Sequence, residues 1–164
     1  MSSSNTFEQF LRDFRETIVD ATARLQHISP EQSRGKPVDG DWAPIEILGH
    51  LVDSAANNHQ RFVRAQFTDD LVFPGYEQDR WVSAQKYREA SWRDLIQLWS
   101  SYNLHLLQIV SVIPANTLTK SRTKHNLPEI AFAPVSTDEP ATLEYFVRDY
   151  VDHLRHHLDQ IFTS

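Results

Sequence analysis

The 164 residues include 16 Lys and Arg against 22 Asp and Glu, a formal net charge of −6. That balance, with no clustered basic patch, argues against nucleic-acid binding, which rests on neutralising phosphates with Lys and Arg. The lack of cysteine excludes disulfide scaffolds, thiolate metal sites and cysteine nucleophiles, so any transition metal falls to carboxylates and the eight histidines. The length fits one domain spanning 1–164. No stretch approaches the ~20 apolar residues of a membrane span, and the N-terminus lacks the basic and apolar regions of a signal peptide. A cytoplasmic protein with no membrane partner is therefore expected.

Phe7, Phe10, Leu11, Phe14, Ile18, Ala21, Leu25 and Ile28 recur at spacings of three and four and predict a first helix over 6–28. Ser29-Pro30 ends it, because the residue before proline is pushed out of the helical region. A polar connector with Gly35, Pro37 and Gly40 follows. Pro44 and Glu46 mark the start of a second helix reaching about residue 66, since proline suits the first turn and an acid suits the positive end. Pro74-Gly75 marks a turn, and a short helix is expected over 79–86. Ser91 with Asp94 resembles a capping box that opens a third helix, which Pro114 ends. The stretch 115–140, with Pro128, Pro134 and Pro140, reads as a long irregular connection, with 129–133 as a short strand. Thr142 then caps a fourth helix running to about residue 162. Four long helices without internal repeats predict an all-α four-helix bundle with long connections between helices 2 and 3 and helices 3 and 4.

The densest histidine pattern lies on that last helix. Val147, Tyr150, Val151, Leu154, Leu158 and Ile161 define its apolar stripe; His157 lies at the stripe's edge and His153 about 40° further round. Residues four apart stack one turn apart, so His153 and His157 can converge on one ion while His156 faces solvent. Asp152 and Asp159 are candidates to orient the rings. On the second helix, His59 sits amid the apolar face, where a histidine is more often a satisfied core residue. His50 shares a polar face with Ser54, Asn57 and Arg61. Periodicity does not choose between them as a third ligand.

Three segments resemble a known family. They are Trp42-Ala43-Pro44-Ile45-Glu46-Ile47-Leu48-Gly49-His50-Leu51-Val52-Asp53-Ser54 with Arg61-Phe62, then Pro74-Gly75-Tyr76-Glu77-Gln78-Asp79-Arg80-Trp81, and the run from Tyr150 to Ile161. In register they resemble the DinB-like superfamily of four-helix metalloproteins, in its YfiT-like branch. The resemblance implies that His50, His153 and His157 are the metal ligands. Three neutral imidazoles leave coordination positions open, the layout of a catalytic site, and their softness favours Zn²⁺ or Ni²⁺, with Fe²⁺ third.

Family members include S-transferases using low-molecular-weight thiols such as bacillithiol or mycothiol, and others assigned as metal-dependent hydrolases. The leading expectation is a metal-dependent thiol S-transferase acting on a small-molecule substrate. A metal-dependent hydrolase, with Asp53 or Glu46 as base, and a non-catalytic metal- or ligand-binding stress protein are the alternatives. Asn57, Arg61, Tyr76 and Trp81 are the candidate substrate-binding residues: Arg61 for a carboxylate, unless it is a surface ion-pair partner, Asn57 for hydrogen bonding, and the two aromatics at the pocket mouth, unless they pack against the bundle. The resemblance also points to a homodimer, to which Ile130 and Phe132 would contribute unless they cover the bundle.

Overall fold

The structure, a computed structural model, describes residues 3–35 and 40–163. Pro37 of the expected connector lies outside the described residues. In chain order the helices are α1 (Ser3–Leu25), α2 (Pro30–Ser33), α3 (Pro44–Arg64), α4 (Gln78–Gln85), α5 (Trp92–Ser111), α6 (Ala115–Thr119), α7 (Leu127–Ile130) and α8 (Leu143–Phe162), with a 3₁₀ turn at Tyr87–Glu89. The first helix stops at Leu25, three residues short of the predicted end, and turns lead from there to Ser29.

Short polar side chains set several helix starts by accepting from otherwise unpaired N–H groups. Ser29 and Gln32 exchange hydrogen bonds reciprocally at α2. At α3, Glu46 Oε2 accepts from the Ala43 N–H at 2.8 Å, with Pro44 in the first turn. Ser91 accepts from the Asp94 N–H, so the expected box there forms in one direction among the described residues. Thr142 caps α8 through the Tyr145 N–H at 3.0 Å.

Helix α3 packs against α5 and α8, and α1 packs against the same two. The first two long helices of the chain therefore stand at opposite corners of the bundle. Phe14 and Ile18 of α1, Leu48, Leu51 and Phe62 of α3, Trp99 and Leu106 of α5, and Val151 and Leu154 of α8 are buried in the common core. One polar link crosses it: the Tyr150 hydroxyl donates to Asn103 Oδ1 at 2.6 Å, satisfying both groups.

The connections are more ordered than the sequence suggests. Stretch 115–140 contains α6 and α7, and 129–133 forms no strand, since Glu129 and Ile130 belong to α7. Pairing occurs instead at two isolated bridges, Leu71 with His125 and Arg122 with Ala141. Arg122, only 2% exposed, donates to the carbonyls of Ala65, Thr68, Asp70 and Thr117. Asn126 holds both the N–H and the carbonyl of Phe73. These bonds tie the 65–75 and 120–141 connections together beside α3 and α8. Among the described residues, no helix is long and apolar enough to cross a membrane.

Candidate metal centre and cavity

His50 lies in the second turn of α3 and is fully buried. Its neighbour Gly49 is required by packing: a Cβ there would overlap the Tyr87 ring. His153 and His157 sit one turn apart on α8, half-buried, on the side facing α3. The Nε2 atoms of His50 and His153 are 3.2 Å apart. Ring centroids of the trio are separated by 5.2, 4.7 and 4.6 Å, and one nitrogen from each lies within 4.8 Å of the others. Zinc–imidazole bonds of about 2.0–2.1 Å at tetrahedral angles place neighbouring nitrogens about 3.3 Å apart. The donor set thus fits a divalent ion held by His50, His153 and His157.

Burial keeps these rings uncharged. Desolvation, with the His157 ring as a second cause, pushes His50 down to about 3. Desolvation and the other histidines likewise push His153 down to about 3. His157 is also lowered, chiefly by burial, against the hydrogen bond to Gln160. Neutral imidazoles offer lone pairs, as metal ligation requires. Gln160 sets the tautomers of two rings: His157 Nδ1–H donates to its Oε1 at 2.7 Å, and its amide donates to His156 Nε2 at 3.3 Å. With that proton on Nδ1, the lone pair of His157 lies on Nε2. Among the described residues His50 Nδ1 has no hydrogen-bond partner, and the Trp42 ring packs against that imidazole at 5.0 Å.

Gln160 was missed at the sequence level, although its i+3 spacing from His157 on a helix is the available signal. The two expected orienting acids do something else. Asp152 is exposed and lies 3.9 Å from Arg155, and Asp159 is exposed, its backbone carbonyl accepting from Thr163.

The pair on α8 opens into a cavity of about 400 Å³, lined by His153, His156, His157, Tyr150, Phe146, Asp149, Ser54, Asn58, Arg61 and Tyr76, with Glu129–Phe132 as one wall. That volume suits a small molecule. Stepping 4, 4 and 3 along α3 from His50 gives Ser54, Asn58 and Arg61, so the polar face meets a cavity rather than solvent. Asn57, expected on that face, lies outside; its amide donates to the Asp53 carbonyl, and Asn58 takes the lining position. Arg61 is 6% exposed, not a surface ion-pair partner. Tyr76 lines the cavity, and burial pushes its hydroxyl up to about 12, with Asp53 adding to the rise and Arg61 and Ser54 opposing it. Trp81 is exposed and outside the lining, packed on Tyr76 at 5.0 Å. Ile130 and Phe132 cover the cavity: the Phe132 ring lies 5.4 Å from His153 and 5.2 Å from His156. His156, read as solvated, is exposed but stands at this mouth.

Three carboxylates near the site accept hydrogen bonds from the protein itself. Asp149, unremarked in the sequence, accepts from the Phe132 and Ala133 N–H groups at 2.8 and 2.7 Å and so holds the cavity wall. Asp53 accepts from Tyr87 at 2.6 Å and Gln85 at 2.8 Å, and burial raises its pKa against those bonds. Glu46 is the α3 cap. His59, far along α3, packs on Tyr102 and His105 of α5, half-buried rather than fully in the core.

The DinB superfamily profile matches residues 13–161, nearly the whole chain. The chain belongs to the DinB superfamily. Among solved structures it is similar to YfiT from Bacillus subtilis, described as a probable metal-dependent hydrolase with an unusual four-helix bundle topology. The two share 18% identity at a TM-score of 0.79, over 99% of this chain and 87% of YfiT, which shows the common fold. No curated protein sequence matches the chain.

Proposed function

We propose that this DinB-superfamily chain, 1–164 acting as one domain, is a metal-dependent S-transferase. His50, His153 and His157 hold a divalent ion, Zn²⁺ or Ni²⁺ before Fe²⁺, and a low-molecular-weight thiol enters the cavity to be activated against a small electrophile. The observation that carries this reading is the convergence of three neutral imidazoles, two of them lining a cavity sized for a small molecule. When bound, such an ion supplies positive charge that lowers the pKa of a thiol. Hydrolysis asks in addition for a base within reach of the attacking water. Both oxygens of Asp149 accept backbone N–H groups and Glu46 caps α3, while Asp53 accepts from Tyr87 and Gln85 through Oδ1 and its Oδ2 has no partner among the described residues.

Around that centre, Gln160 holds the His157 proton on Nδ1 and keeps its Nε2 free. Phe132 and Ile130 shield the α8 histidines from bulk water. Tyr76, as a neutral phenol, and Arg61 supply polar contacts to the substrate. The test is a metal-loaded protein offered thiols with monochlorobimane and, in parallel, generic esters and amides. Metal-dependent thiol transfer that disappears in His50→Ala supports the reading. Metal-dependent ester or amide cleavage without thiol consumption replaces it with the hydrolase, and the absence of both replaces it with a metal-binding protein.

A further inference from the structure

Two arginines are buried among the described residues, and they differ in what they hold. Arg122 spreads its donors over four backbone carbonyls of the loops around it. Arg61 is buried to a similar degree but, among the described residues, donates only to the Pro74 carbonyl at 2.9 Å and, at the limit of a hydrogen bond, to Asn58 Oδ1 at 3.5 Å. It forms no ion pair among the described residues. Two carboxylates line the same cavity without meeting it: Asp149 is bound to two backbone N–H groups, and Glu129 is exposed. A buried cation is costly unless something of opposite charge approaches it. Removing one from water inside a cavity, with donors to spare, leaves a place for an anion that the chain does not provide.

We propose that the Arg61 end of the cavity is a carboxylate-binding subsite, so that the substrate is an elongated molecule with a carboxylate at one end and its reacting atom at the histidine end. The guanidinium fork matches the two oxygens of a carboxylate, and Tyr76 beside it offers a phenol. His50 and Arg61 are eleven residues apart on one helix, an axial rise of about 16 Å. The longer arginine side chain leans toward the helix N-terminus and shortens this, so the two ligand ends stand about 12–16 Å apart. This assignment rests on the metal-centred reading above for its reacting end only; the anion subsite stands on Arg61 itself.

The experiment measures calorimetric binding of a graded series to cobalt-loaded protein: mercaptopropionate, mercaptohexanoate, mercaptooctanoate and mercaptoundecanoate, each with a terminal thiol, beside the matching mercaptoalcohols. The acids should gain over the alcohols only once the chain spans the cavity, by about 10–100-fold for a hydrogen bond to a charged group. Arg61→Met should erase that gain, and Arg61→Lys should keep part of it. Equal binding of long acids and alcohols to the wild-type protein overturns the subsite and leaves the thiol reading intact. If no thiol binds, the S-transferase reading fails, and octanoate with metal-free protein decides the subsite: binding that Arg61→Met abolishes upholds it, and no binding overturns it. Octyl phosphate bound more tightly than octanoate overturns the carboxylate assignment.

Discussion

Helix α3 carries two histidines that each meet further histidines across a helix interface, with different results. At His50, rings from α8 close around a buried imidazole until two Nε2 atoms are 3.2 Å apart, and a glutamine fixes the tautomer of the third ring. At His59, one ring from α5 stacks edge-to-face at 5.2 Å, and Tyr102 occupies Nδ1 at 3.0 Å. The second cluster is a packed pair on a half-exposed seam, with His59 Nδ1 taken up by a tyrosine hydroxyl. The difference shows that clustering of histidines is a weak criterion. Convergence of ring nitrogens, desolvation and a second group holding the proton are what make a ligand set.

The largest way to separate the clusters is to delete a ring from each. His50→Ala or His153→Ala should weaken metal affinity by about 10²–10³-fold, taking the 10–16 kcal/mol of a four-ligand zinc site as shared evenly among ligands. Competition with a chromophoric chelator measures this. Next comes the second group: Gln160→Ala should cost about 10–100-fold in affinity while the ligands stay in place. Gly49→Ala tests the support of the first cluster through Tyr87, with an expected destabilisation of about 1–3 kcal/mol by overpacking, read from urea unfolding.

A smaller contrast lies in pH. His50 and His153 titrate near 3 when folded and near 6.5 when unfolded, so between those values the unfolded chain binds protons that the folded chain does not. Metal-free protein should therefore lose stability as pH falls from about 6.5 toward 3. His50→Gln should flatten that fall, and His59→Gln should flatten it less. Raised carboxyl groups such as Asp53 and Asp149 act with the opposite sign but equally in both variants. The smallest expected effect is on metal affinity in His59→Ala and His105→Ala, which should stay within about ±0.5 kcal/mol. A loss comparable to His50→Ala would erase the distinction between the clusters.

Much of the fold was legible because helix ends were written in residues with local chemistry: Pro44 with Glu46, Ser91, Pro114 and Thr142, whereas Ser29-Pro30 opens α2 and α1 stops earlier, at Leu25. The pairing of His153 with His157 followed from spacing on one helix. Which of His50 and His59 joins them was not legible from periodicity, because a polar stripe looks alike whether it meets water or a cavity. The same ambiguity placed Asn57 where Asn58 stands. The order in 115–140 was hidden for another reason: Arg122 and Asn126 act on carbonyl and N–H groups some fifty residues away, which no local pattern reports. Asp149 likewise works on the backbone of a distant loop.

The most direct test of the central claim is an anomalous difference map from a crystal of the zinc- or nickel-loaded protein. One peak per chain is predicted, about 2.0–2.1 Å from one nitrogen each of His50, His153 and His157. A peak at His59 and His105, or none at the three converging rings, would contradict it.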